Sequence, residues 1–310
     1  MRTNRSFALG ATLLALAIFA GACGSGGGET TGGATPKKKG NITVGVSAAF
    51  AENQIVAEMY AQVLEKAGYT VKRQLDLGSR ELSDPALKSG QIDLKPEYLA
   101  SELAGPIANA KDKQSGDAQA ELTALKAALQ PAGITVLNPS QANDTNAFVM
   151  TKEKSDQLGV TSVSQLAPVA GQLTLGGPAE CPERPLCIPG LKDTYGVTFG
   201  KFEAIGVCDA PTAEALAAGR IDVALLCSTQ SIIAKNGWVV LKDDKNLQPA
   251  ELIVPVVLTS KVTAELTNLL NAVSSKLTTE NIVGLNAKVE IDKEDAADVA
   301  KEFLQQNGLL

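Results

Sequence analysis

No histidine occurs anywhere in the 310 residues. That gap removes Ser/His/Asp and Cys/His nucleophile systems, zinc sites built on histidine and imidazole acid/base catalysis. An enzyme would have to work through carboxylates, Lys or Tyr. No carboxylate pair sits in a recognisable catalytic motif, so no enzymatic activity is expected. A basic excess is missing too, since 28 Lys and Arg face 34 Asp and Glu for a formal charge of −6. General nucleic-acid binding needs a basic surface to displace counterions, and is not expected. Aromatic residues are scarce: four Tyr, seven Phe and one Trp. What is present is ordinary globular composition, 45% hydrophobic and 20% charged, over a length that suggests about two domains.

The first forty residues read as an address and a tether. Arg2 and Arg5 precede a stretch, 7–22, in which 13 of 16 residues are Ala, Leu, Ile or Phe. It is too short and wrongly flanked for a stable transmembrane helix, and reads as a secretory signal peptide over 1–22. The ending Ala20-Gly21-Ala22-Cys23 resembles a bacterial lipobox, with Ala20 in place of the usual Leu. Cys23 is therefore the expected lipidation site, since durable anchoring takes more than one acyl chain and a modified N-terminal Cys supplies it. Residues 24–40 hold seven Gly among 17 and no large apolar residue, which makes 23–40 a flexible coil spanning roughly 20 to 25 Å. The expected location is the outer face of the cytoplasmic membrane, and Lys37 to Lys39 form a basic run beside it.

Beyond Gly40, β-rich runs alternate with amphipathic helices. Residues 41–46 read as a strand, and Ile55, Val56, Met59, Tyr60, Val63 and Leu64 form one apolar helix face. Strands at 70–75 and 92–94 and a helix at 81–88 follow in βαβ order, which predicts mainly parallel sheets flanked by helices. Ala86-Leu87-Lys88-Ser89-Gly90-Gln91-Ile92-Asp93-Leu94 has a partner in Ala215-Leu216-Ala217-Ala218-Gly219-Arg220-Ile221-Asp222-Val223. Each reads as a helix end, a Gly for the left-handed cap, and a strand beginning Ile-Asp. Two similar α/β lobes are expected, lobe I from 41–145 plus 256–310 and lobe II from 146–255. Strand-like segments at 146–151 and 252–259 serve as crossovers. Ligands in open α/β sheets sit beyond the carboxyl ends of the strands, so two facing lobes make a cleft that closes about a hinge.

Cys181 and Cys187 are six apart in an expected exported protein and read as a disulfide. Cys208 and Cys227 each follow a predicted strand, at 203–207 and 222–226. A crossover helix often joins neighbouring parallel strands, so a second disulfide at the cleft rim is expected. Zinc is not expected without histidine. Ser228 and Thr229 follow a strand and either cap a helix or face a ligand. The same two readings apply to Ser79 and Arg80 after Gly78, and to Ser47 and Asn53 around the first helix start. Glu97 either faces a cationic ligand or sits at a helix N-terminus.

Several phrases together resemble the quaternary-ammonium substrate-binding proteins of bacterial ABC importers, whose ligands include glycine betaine, choline and carnitine. They are Ile42-Thr43-Val44-Gly45, Phe50-Ala51-Glu52-Asn53-Gln54, Leu77-Gly78-Ser79-Arg80-Glu81, the Pro85–Asp93 run, Pro96-Glu97-Tyr98, Gly176-Gly177-Pro178-Ala179-Glu180 and Leu241-Lys242-Asp243-Asp244-Lys245. The resemblance implies a two-lobed periplasmic-binding-protein fold of the Venus-flytrap type and a small-molecule ligand without a cofactor. It also implies partnership with an ABC permease and its ATPase; a monomer is expected. Such proteins hold a methylated ammonium against ring faces and a carboxylate with Arg, Lys or N–H groups. By this likeness Tyr98 matches one box tyrosine, Ser101 a hydroxyl position, Arg184 the carboxylate-binding arginine, and Asp144 lies at the crossover. Asn146, Cys227 and Glu251 stand where other members place rings, and Ala48 where a ligand-facing Lys occurs. Tyr60, Tyr69, Tyr195 and Trp238 read as core or surface. The aromatic box is thus largely missing, which leaves open a more polar or an aromatic solute. An envelope sensor or adhesion module is the reading from another class.

Overall fold

The computed structural model describes residues 39–46, 50–249 and 251–310. The expected signal peptide, Cys23, the tether as far as Lys38, and Ser47 and Ala48 lie outside the described residues. The chain begins with β1 (Asn41–Gly45), α1 (Ala51–Lys66), β2 (Thr70–Gln74), α2 (Arg80–Ser89) and β3 (Leu94–Tyr98). The short α3 (Leu99–Leu103), then α4 (Ala118–Leu129) and β4 (Ile134–Val136), complete the first stretch. The middle stretch runs β5 (Asn146–Met150), α5 (Lys152–Leu158), β6 (Thr174–Gly177), α6 (Ile188–Tyr195) and β7 (Lys201–Ala204). It continues through α7 (Ala210–Ala217), β8 (Val223–Cys227), α8 (Ser231–Lys235) and β9 (Val239–Val240). Then β10 (Ile253–Leu258) returns, followed by α9 (Ala264–Ser274), α10 (Thr279–Glu290) and α11 (Ala296–Gln306).

Among the described residues these strands form two five-stranded sheets, ordered β2-β1-β3-β10-β4 and β7-β6-β8-β5-β9. Each has three parallel strands joined by helical crossovers and one antiparallel strand, β10 or β5, laid against the third. The sheets are therefore mixed, and helices flank both. In the first lobe the buried face of α1, with Ile55, Met59, Tyr60 and Leu64, packs on α9, α10 and α11. Among the described residues no helix is long and apolar enough to cross a membrane.

The repeated phrase has a physical reason. Gly90 and Gly219 both adopt the left-handed conformation, at φ 80° and 68°, and end α2 and α7. Ile92 then packs against the bare backbone of Gly45 in β1, and Ile221 against Gly176 in β6, where a Cβ would collide with either Ile side chain. The Asp that follows locks the register. Asp93 accepts the Thr43 N–H at 2.8 Å, and Asp222 accepts the Thr174 N–H at 2.9 Å. The same four-part joint thus attaches the third strand to the first in each lobe.

The two crossovers run side by side. Asn143 and Leu252 form an antiparallel bridge, and the Asp144 N–H donates to the Glu251 carbonyl at 3.0 Å. One expectation is corrected here. The strands before Cys208 and Cys227 are not neighbours, because β6 lies between β7 and β8. The cysteines nonetheless pair, since the loop after β7 reaches over the end of β6.

Candidate functional site

The carboxyl ends of the central strands of both lobes face one another across a cavity of about 80 Å³. From the first lobe it receives Phe50 and Asn53 at the start of α1, Ser79 and Arg80 at the start of α2, Glu97 and Tyr98 at the end of β3, and Ser101 in α3. The crossovers contribute Asp144, Asn146 and Glu251. The second lobe adds Glu180 and Arg184 after β6, Val207 and Cys208 after β7, and Cys227 ending β8. Most of the residues singled out from the sequence thus converge. Ser228 and Thr229 do not line the cavity; they act on Asp144 from behind.

Among the described residues, aromatic surface in the cavity is a single stacked pair. The Phe50 and Tyr98 rings lie 6.3 Å apart at 23°. Phe50, the residue before α1, is not marked as ligand-facing by the sequence, although it opens one of the phrases that carry the resemblance. Tyr60 is wholly buried in the first lobe's core, Tyr195 lies in the second lobe's core, and Trp238 packs beside β8 and α8. The Tyr98 hydroxyl donates to Glu52 at 2.8 Å.

Carboxylates dominate the rest. Glu52 is buried, accepts the Thr229 hydroxyl at 2.7 Å, and is also met by the Asn286 amide at 3.3 Å. Asp144 accepts the Thr229 N–H at 3.0 Å and the Ser228 hydroxyl at 3.2 Å, while its Oδ2 is buried with no hydrogen-bond partner among the described residues. Burial raises the pKa of both, and the nearby charge of Glu52 adds to the rise in Asp144. Glu251 accepts the N–H groups of Ala100 and Ser101, both at 3.0 Å, and the Ser101 hydroxyl at 2.6 Å. Burial still pushes it up to about 7.

Behind the cavity, Asp84, Glu97 and Glu102 bring carboxylate oxygens within 4.8 Å of one another, the geometry of a small cation site. The ammonium of Lys95 fills that place. It bonds to Asp84, to Glu97 at 2.8 Å, to Ser83 at 3.1 Å and to Glu102 at 3.5 Å, with its side chain wholly buried. Arg80 lies on the cavity side of this cluster, held by Glu97 at 2.7 Å and Glu102 at 3.4 Å. Burial opposes the charge on Glu97, yet Arg80 and Lys95 hold it far below the usual carboxylate range. Burial pushes Glu102 up to about 8, with Glu97 and Asp84 adding to the rise against the pull of Lys95 and Arg80. Glu97 therefore positions Arg80.

These shifts set a pH dependence. Glu251 and Glu102 have folded values near 7 and 8, above the ordinary 4.5, so folding favours their protonated forms. That stabilisation is complete below about pH 4.5 and disappears as pH rises through 7 and 8. Glu97 works oppositely, but its contribution is lost only in the acid range below its ordinary value. Melting measured from pH 5 to pH 9 should accordingly show falling stability, by an amount on the order of 5 kcal/mol. A melting temperature that rises across that span contradicts these protonation states.

The lobes also touch directly. Thr229 and Glu52 join them on one side, together with the Ser231 N–H donating to Glu290 at 3.0 Å. Across the mouth, Arg184 donates to Glu81 at 3.0 Å. The Cys181–Cys187 disulfide clips the loop that carries Arg184, and Cys208–Cys227 ties the loop after β7 to the end of β8. Asn146 donates to Gln248 at 3.1 Å and so links the two crossover regions.

Residues 40–306 match the family model described as the substrate binding domain of ABC-type glycine betaine transport system. The chain is 30% identical over 272 residues to a glycine-betaine-binding protein of Pseudomonas aeruginosa, covering 84% of this chain and 86% of that one. It is 27% identical over 303 residues to the carnitine transport binding protein OpuCC of Listeria monocytogenes, covering 95% and 94%. Among solved structures it resembles a glycine betaine/carnitine/choline ABC transporter protein with a TM-score of 0.67 at 25% identity, over 86% of this chain and 99% of the other. That likeness agrees with two α/β lobes. The family is one of transport receptors, not enzymes, and the chain belongs to it: it is a substrate-binding protein of the glycine betaine type of ABC importer.

Proposed function

We propose that this chain captures a small quaternary-ammonium solute, of the glycine betaine, choline or carnitine kind, between its lobes and hands it to a membrane permease driven by its ATPase. Membership of the family makes it an extracytoplasmic receptor of an importer. The finer proposal is that residues 1–22 are removed, that lipid on Cys23 holds the protein at the outer face of the cytoplasmic membrane as a monomer, and that 23–40 is the tether. Lobe I is then 41–145 plus 253–310 and lobe II is 146–252, three residues short of the expected boundary because Ile253 to Pro255 of β10 pair with β3, and the lobes are hinged at the paired crossovers.

The observation that carries the solute class is the meeting of the Phe50–Tyr98 ring pair with the buried carboxylates of Asp144 and Glu251 in one cavity. A methylated ammonium donates no ordinary hydrogen bonds, so it binds best where ring faces and negative charge surround it. Each good ring contact is worth up to about 2 kcal/mol when desolvated. Two rings replace the fuller box expected of the family; burial raises the pKa of both acids, and a bound cation opposes that rise, favours their ionised forms and so draws the remaining attraction from them. Asp144, one of whose buried oxygens has no partner among the described residues, and Glu251 face the cation. Arg80 and Arg184, with Ser79, Ser101 and Asn146, face an anionic or polar tail. Cys227 forms part of the wall.

A melting screen over betaines, choline, carnitine, amino acids, sugars and aromatic compounds tests this. A quaternary ammonium at about 100 times its Kd should stabilise the fold by about 2.7 kcal/mol. Stabilisation by a sugar or an ordinary amino acid, with none by any quaternary ammonium, overturns the solute class.

A further inference from the structure

Beside the solute cavity lies a larger one of about 520 Å³. The start of α1, helices α7 and α8, and Val289 and Glu290 at the end of α10 bound it, and Trp238 lines it. Phe50 and Cys208 line both cavities. They are only 9% and 2% exposed, so they stand as a partition between two spaces. On the second lobe's side this partition is held covalently. Strands β7 and β8 are not adjacent, and the Cys208–Cys227 bond ties the loop after β7 to the end of β8. Cys208 sits at φ 51°, a left-handed conformation that a residue with a Cβ adopts at a cost, and the next residue, Asp209, caps α7 through the Thr212 N–H at 3.1 Å. Cys227 also faces the solute cavity, at a position where the family resemblance leads one to expect a ring.

We infer that the Cys208–Cys227 disulfide, backed by the Phe50 ring, is the wall that sets the size limit of the solute. This rests on the proposed solute class. Without the sulfur bridge nothing covalent holds Cys208 in its left-handed conformation, and the solute cavity opens into the space beside Trp238. That space suits the longer arms of a larger organic cation, because Trp238, Ile232 and Val289 offer apolar surface while Asp209 and Glu214 outnumber Lys293.

The test replaces both cysteines, as C208S/C227S, and titrates wild type and variant with tetramethyl-, tetraethyl-, tetrapropyl- and tetrabutylammonium by calorimetry. Wild type should favour the smallest ions. In the variant the affinity for tetrabutylammonium relative to tetramethylammonium should rise at least tenfold, with a change in Trp238 emission on binding the large ion alone. A folded variant with the wild-type ratio overturns the wall. Phe50→Ala opens the partition from the other lobe and keeps the test decisive where the double variant does not fold. It is read as the same ratio, because Phe50 also faces the ammonium. Absence of all quaternary-ammonium binding by wild type sinks the solute class alone. The wall is then read from a crystal structure of either variant, where one continuous cavity supports it and two separate cavities overturn it.

Discussion

Lys95→Met is expected to cost the fold about 3 to 5 kcal/mol, the range for leaving buried charge uncompensated. Lys95, Asp84, Glu97 and Glu102 all have side chains at most 1% exposed, and the Lys95 ammonium meets all three carboxylates while Arg80 meets Glu97 and Glu102 but not Asp84. Met fills much of the same volume without the charge, so the loss measures electrostatics more than packing. Urea denaturation gives the value. Glu102→Gln should cost less than about 1 kcal/mol at pH 7, since burial already holds Glu102 protonated up to about 8. A Lys95→Met protein within about 1 kcal/mol of wild type would show that the cluster is solvated or otherwise neutralised. The defect should also reach the cavity, because Glu97 is shared between Lys95 and Arg80.

Tyr98→Ala should weaken binding of a quaternary-ammonium solute by roughly 30-fold, the equivalent of about 2 kcal/mol for one desolvated ring contact. Its ring also supports Phe50, 6.3 Å away, so the alanine variant disturbs both aromatic faces. Tyr98→Phe separates the ring from the hydroxyl. It loses the hydrogen bond to Glu52 at 2.8 Å but keeps the face, and should bind within about tenfold of wild type. Calorimetric titration of the three proteins decides between them. Phe and Ala variants of equal weakness would place the energy in the Glu52 bond and leave the ring without a role in binding.

The architecture was legible because its grammar repeats. Gly90 and Gly219, with the Ile-Asp that follows each, mark the same joint in both lobes, where a left-handed cap, a close packing on glycine and a carboxylate-to-backbone bond occur together. The runs at 146–151 and 252–259 were legible as strands, β5 and β10, but the chain passes between the sheets just before each of them, where Asn143 pairs with Leu252 and Asp144 with Glu251, and β10 pairs with β3 along its length. Strand order was not, because adjacency depends on tertiary packing: β6 enters between β7 and β8, and the disulfide forms through a loop instead of between neighbouring strands.

Part of the candidate cavity's lining was legible, where residues follow strand ends or lie beside the crossovers. Tyr98, Asp144, Asn146, Arg184, Cys227 and Glu251 come from distant parts of the chain and line one cavity. Phe50, Glu180 and Val207 also line it, and nothing in the sequence marks them as ligand-facing. Cap and loop residues carry no periodicity that would single them out. Lys95 gave no signal at all, since a Lys inside a strand ordinarily points to solvent. Its burial depends on Asp84 and Glu102 arriving from α2 and α3.

A structure of the protein crystallised with choline or glycine betaine tests the central claim most directly. The quaternary nitrogen is expected in the cavity between the lobes, against the Tyr98 and Phe50 rings and within reach of the Asp144 and Glu251 carboxylates. A solute bound away from that cavity, or a nitrogen facing Arg80 and Arg184 instead, would contradict the proposed mode of capture.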